Sequence, residues 1–156
     1  MTSYVAEVLQ PNETVRYEGT LHWVIYLLGI VFLGFGIAGL LGVLTMAHDA
    51  RGYRIYSTVV YLALGIGALQ VFSAWLKQWT TEIAVTDRRV IYKTGLISRR
   101  TVEMNMDKVE SVDVSQDIFG RIFNYGTVLI RGTGASLEPL STIATPLALR
   151  NAITAR

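Results

Sequence analysis

The sequence predicts an α+β membrane protein, in which a two-helix transmembrane hairpin is followed by an antiparallel sheet domain closed by a C-terminal helix. Three observations carry this. Residues 23–46 and 56–76 contain no charged side chain. From residue 80 the apolar period falls from helical to two. Near the end, Thr145-Pro146 precedes apolar residues at helical spacing, as a helix start does.

The totals agree. Of the 156 residues, 51% are hydrophobic and 17% charged, against about 25% charged in an ordinary soluble domain. The mean hydropathy is +0.39. A net charge of +2 is too small to indicate nucleic acid as a partner. With no cysteine there is no disulfide framework, thiolate nucleophile or Cys-ligated metal.

Residues 1–20 form a polar, acidic N-terminal segment without the basic opening of a secretory signal. Pro11-Asn12 marks a turn, and Val15-Arg16-Tyr17-Glu18 alternates like a short strand. A tail without structure is the competing reading.

Residues 21–78 read as the hairpin, with spans of about 23–46 and 56–76 joined by a short polar loop. At about 1.5 Å per residue each is long enough for a hydrocarbon core of about 30 Å. Trp23, Tyr26, Trp75 and Trp79 mark the interfaces, where amphipathic rings favour the headgroup level. Gly34, Ala38 and Gly42 lie four apart on one face, and Ala63 and Gly67 offer a second small-residue face. Such faces let two backbones approach closely. Arg16, Lys77, Arg88 and Arg89 flank one side of the spans, and Arg51 and Arg54 the other. The bias places both termini in the cytoplasm and the protein in the inner membrane.

Residues 79–156 read as the sheet domain. Strands are expected over 81–85, 89–93, 96–106, 109–114, 127–131 and 137–143. Residues 117–124 form an apolar turn or a single helical turn, and Leu147–Ile153 a helix whose Leu149 and Ile153 face the sheet. Pro139 implies an edge position for the last strand.

The wording of this half is similar to a known family. Thr86-Asp87-Arg88-Arg89-Val90-Ile91-Tyr92 is followed by Thr94-Gly95-Leu96 and by Lys108-Val109-Glu110-Ser111-Val112. Then come Phe119-Gly120-Arg121-Ile122-Phe123-Asn124-Tyr125-Gly126-Thr127-Val128 and Ile143-Ala144-Thr145-Pro146. Together they resemble the bacterial PH-like domain of membrane proteins. Leu9 to Glu13 and Leu21-His22-Trp23, leading into two spans, look like its usual companion. The resemblance implies a PH-like antiparallel split barrel with a C-terminal helix, facing the cytoplasm, and it supplies no catalytic residue.

Arg88, Arg89, Lys93, Arg99 and Arg100 are the candidates for anionic-lipid contact, at about 1 kcal/mol per basic residue near a charged surface. The plainer reading is a solvated hairpin edge with Asp87 as turn residue. Ile118, Phe119, Ile122, Phe123 and Pro139 are the candidate partner surface, with core packing as the alternative for the four apolar side chains. His22 and His48 lie at opposite ends of the first span and cannot share a metal, and no Ser–His–Asp set falls in one compartment. No cofactor is expected. The expected function is non-enzymatic, a membrane-anchored module that binds a protein partner or a sister subunit beside membrane lipids. An accessory subunit of a larger membrane complex and an anionic-lipid sensor are the alternatives.

Overall fold

The computed structural model describes residues 4–45, 52–95, 100–133, 135–136 and 139–155. They form two compact units. One joins the first 22 residues to the chain from Lys77 onward, and the other is Trp23–Leu76.

In the helical unit, a 3₁₀ turn at Trp23–Tyr26 leads into α2 (Leu27–Thr45), and α3 (Tyr53–Thr80) returns. The short helix α1 (Tyr4–Val8) precedes both. α2 and α3 pack antiparallel through glycine. A Cβ on Gly29 would meet Val71, one on Gly36 would meet Leu64, and one on Gly67 would meet the backbone of Leu33. The buried positions are Gly29, Gly36 and Val43 on α2, and Ser57, Val60, Gly67 and Ala74 on α3. Seven-residue steps such as 29–36–43 and 60–67–74 give the left-handed seam of most membrane bundles, crossing at about 20°. The Tyr56 hydroxyl donates to the Gly39 carbonyl at 2.9 Å.

This rotates the packing face from the one expected. Gly34 and Ala38 are exposed, and a Cβ on Gly34 would meet open space. Gly42 is half-buried against the Tyr56 ring, Ala63 is half-buried, and Gly67 alone sits deep in the seam. A four-residue step drifts around the helix, whereas a seven-residue step stays on a supercoiled seam. Each helix is long and apolar enough to cross a membrane. Large side chains including Phe35, Leu41, Leu44, Ile55 and Leu69 point away from the seam.

The other unit is built from two antiparallel sheets. The first runs β1 (Val15–Gly19), β2 (Glu82–Thr86), β3 (Arg89–Thr94) and β4 (Arg100–Asn105) in that order. The second centres on β6 (Tyr125–Gly132), with β5 (Val109–Ser115) on one edge. β7 (Ala135–Ser136) and β8 (Leu140–Ala144) take successive halves of the other edge. α4 (Ile118–Phe123) links β5 to β6, and α5 (Pro146–Thr154) closes the chain. The architecture is the one the resemblance implies, and Leu149 and Ile153 are buried as expected. Of the strand expected over 96–106, residues 96–99 lie outside the described residues.

The N-terminal segment is part of this unit. Val15 pairs with Thr86 and Gly19 with Ile83, so β1 and β2 are hairpin neighbours whose turn is replaced by residues 20–81. Beyond β1 the chain turns to the second sheet. His22 N donates to Thr142 O at 2.8 Å and Ala144 N to Thr20 O at 2.9 Å. The sequence reading set residues 1–20 apart from the sheet domain; β1 instead supplies its first strand.

α1 completes the coverage. Strand alternation puts Val85, Val90 and Met104 on the face toward α5, and Ala84 and Ile91 on the other. Both sets are buried, because Val5, with Tyr4, Val8, Leu9 and Val15, covers Ala84 and Ile91. The uninterrupted runs Ile83-Ala84-Val85 and Val90-Ile91 carried that signal, since an edge with one solvated face alternates. Thr145 starts α5 without a side-chain cap. Its hydroxyl is 2.8 Å from Tyr17 Oη, and Arg16 donates to Ala155 O at 3.0 Å. Both bonds hold α5 to β1.

Two altered forms of the chain test this topology. Residues 81–156 alone lose β1, α1 and the bonds to α5, and are expected to give no cooperative thermal transition. Replacing residues 23–80 with a Gly/Ser linker of about ten residues, reaching about 33 Å, is expected to give a soluble, cooperatively melting domain by circular dichroism.

Candidate functional site

The turn Thr86–Arg89 sits where β2 passes into β3. The Thr86 hydroxyl accepts from the amides of Arg88 (3.2 Å) and Arg89 (3.0 Å), a side-chain-closed turn. Asp87 reaches the N-terminal segment through its own amide, which donates to Thr14 O at 3.1 Å. Its carboxylate accepts from Thr14 N at 2.9 Å.

Arg89 points inward. Its Nε and Nη2 grip both oxygens of Glu13 at 2.9 and 2.8 Å. Nη1 donates to Glu103 at 2.7 Å, and Nη2 also reaches Val8 O at 2.7 Å. The Glu13 side chain is 0% exposed. It accepts further bonds from the Thr86 hydroxyl at 2.7 Å and Gln10 N at 2.8 Å. This is a bidentate, desolvated pair with its remaining lone pairs filled, the geometry that makes a buried ion pair favourable. The hydrogen bonds from Arg89 hold the Glu13 carboxyl down at about 2, against the opposing effect of burial. Glu13 in turn raises the Arg89 pKa.

Arg89 is therefore occupied within the protein and does not form part of a lipid patch. Lys93 is committed in the same way. It pairs with Glu82 across the strands at 2.9 Å and lies 4.8 Å over the Tyr4 ring. Arg88 is exposed and donates to Gln10 at 3.2 Å. Arg100 is exposed at the opposite end of β3, opposite Thr94, and Arg99 lies outside the described residues. Six residue steps of about 3.3 Å separate positions 88 and 94 along the strand, so Arg88 and Arg100 do not converge. A sequence cannot show which arginine of an adjacent pair turns inward. The acidic Glu13 was the missing partner, 76 positions away.

The second sheet presents a different surface. β5 has β6 on one side and, among the described residues, no strand on the other. Val112 and Val114 pair with Ile130 and Val128. The β6 residues are fully buried while the β5 pair stays half-buried. The uncovered side opens into a groove of about 400 Å³ between β5 and α5, lined by Val112, Asp113, Val114, Gln116, Arg121, Leu147 and Arg150. Leu147 is half exposed there.

α4 borders the groove through Arg121. Asp117 caps its start by accepting from Gly120 N, and Asn124, in the left-handed region at φ 60°, closes its end. Gln116 donates to the carbonyls of Gly120 (3.1 Å) and Tyr125 (2.9 Å). Gly120 faces the domain, where a Cβ would collide with Tyr125 O. Ile118, Phe119, Ile122 and Phe123 are all exposed, so this turn is no part of the core. Pro139 is exposed too. It precedes Leu140, which pairs with Val128, three strand positions beyond Tyr125 and apart from α4.

A family model described as the bacterial PH domain matches residues 21–156. The match begins after β1. No curated protein and no solved structure matches the chain.

Arg89→Ala leaves Glu13 buried and unpaired and should cost about 3–5 kcal/mol. Arg88→Ala should change stability by less than about 0.5 kcal/mol; thermal melts in detergent compare them. Because the folded pKa of Glu13 is depressed, its stabilisation is present above the ordinary value of 4.5 and is lost as pH falls toward about 2. The Tm of the wild type should drop more steeply over that window than that of Glu13→Gln.

Proposed function

Because the chain belongs to the bacterial PH domain family, whose fold serves lipid and protein interaction, we propose that it is a membrane-anchored docking module. The hairpin spans the inner membrane, and the sheet domain binds an extended segment of a protein partner in the cytoplasm. The observation that carries the docking half is the incomplete β5 edge. Val112 and Val114 stay half-buried beside a groove that a further strand would fill.

An extended peptide adds to such an edge through main-chain hydrogen bonds, while pockets for alternate side chains select the sequence. Leu147 offers an apolar wall, and with Asp113 paired to Arg131, Arg121 and Arg150 favour a segment carrying carboxylates. The module acts by holding its partner, so no reacting group is needed in the groove.

Membrane spanning is supported by the exposed apolar side chains around both helices. In lipid they need no cover, whereas in water patches this large are not tolerated. Pairing of β1 with β2 supports an even number of crossings between them, because both strands must lie on one side. The charge bias of Arg16, Lys77, Arg88 and Arg89 over Arg51 and Arg54 supports that side being the cytoplasm.

Photo-crosslinking in native membranes tests the docking. A photoreactive residue replacing Leu147 should capture a defined protein, with capture lost on Arg150→Glu and absent from a probe at Glu18 on β1. Equal capture at both probes, or none, would overturn the groove as the site. For orientation, an enzyme reporter fused after Arg156 should be active only as a cytoplasmic form.

A further inference from the structure

The apolar face of α4 is unexplained by the groove. At about 100° per residue, Ile118, Ile122, Phe119 and Phe123 fall within about 140° of arc. Gly120 lies on the domain side and Arg121 at the other margin. Ile118 is 76% exposed, Ile122 69% and Phe119 63%. The helix is nonetheless rigidly made, closed at both ends and clamped by Gln116. The fold thus fixes a large apolar face outside its own core.

Its position indicates what covers it. Tyr125, next after the Asn124 cap, packs its ring 5.3 Å from that of His22. His22 is the last residue of the domain before the apolar unit begins at Trp23. The helix therefore ends two residues before a side chain packed on the point at which the chain leaves the domain for its first span. Resting on the spanning role of the hairpin, we infer that α4 is a membrane wedge. Ile118, Phe119 and Ile122 seat in the headgroup–acyl boundary of the bilayer the hairpin crosses.

The chemistry fits that occupant. A short helix with Phe and Ile on one face and a basic residue at its margin suits the interfacial layer, with the cation among the headgroups. Covalent connection keeps the bilayer at high effective concentration, so a small wedge is enough to engage it.

The absence of cysteine makes a clean test possible. Ile122→Cys, Phe119→Cys, Leu41→Cys and Glu110→Cys are made singly in the full chain and labelled with an environment-sensitive fluorophore. Each is reconstituted into phosphatidylcholine–phosphatidylglycerol vesicles, with and without brominated acyl chains. The expected result is blue-shifted emission that brominated lipid quenches at Ile122, Phe119 and Leu41, and neither effect at Glu110. Quenching at Leu41 with water-like emission at Ile122 and Phe119 overturns the wedge and leaves the anchor standing. Water-like emission at all positions removes both. Blue-shifted emission at α4 that brominated lipid does not quench means a protein surface covers it, which also overturns the wedge.

Discussion

The sheet domain depends on the pairing of Arg89 with Glu13. One guanidinium spans Glu13, Glu103 and a backbone carbonyl of α1, so it joins the N-terminal segment, β3 and β4 at one point. Around it, Thr86 and Asp87 bond to residues 13 and 14. β1 then lies alongside β2, and α1 covers the face that Ala84 and Ile91 would expose. A buried charge pair of this kind is a weak source of net stability but a stringent one of geometry. Any arrangement that separates the partners leaves a desolvated charge. Here it selects the one register in which residues on either side of a long insertion meet.

Much of the fold is legible in the sequence, because it rests on local signals. Freedom from charge over 23–46 and 56–76 is enough to place two long apolar helices. Alternation through Val102 and Met104, and through Val112 and Val114, is enough to place strands. What is not legible is non-local. Val15 and Thr86 become neighbours only because the intervening chain doubles back, and no spacing rule reaches that far. Arg89 reads as a surface cation until Glu13 is placed beside it. The small residues mislead for a different reason. Gly34, Ala38 and Gly42 share a face of a straight helix, while the seam through Gly29 and Gly36 follows a supercoil.

The second sheet presents two different surfaces. The β5 side is concave and lined by half-covered valines with arginines at its rim. The α4 face is exposed and apolar, and Arg121 belongs to the border between them. A single short segment, capped by Asp117 and Asn124, thus serves both. Its sequence shows the apolar residues but cannot show whether they face in or out. Gly120 decides this, since the helix sits against Tyr125 only where a side chain is missing.

Replacing a β-hairpin turn with two long apolar helices has a consequence for biosynthesis. Residues up to His22 leave the ribosome first, yet they have no partner until the chain has passed through both apolar helices. Only when residues 82–105 emerge can β1, Glu13 and α1 find their places. Contacts this distant in sequence are slow to close, so the N-terminal segment waits, open to proteases and chaperones. The sheet is completed only after both helices have been made. A chain whose two helices do not double back keeps β1 and β2 apart.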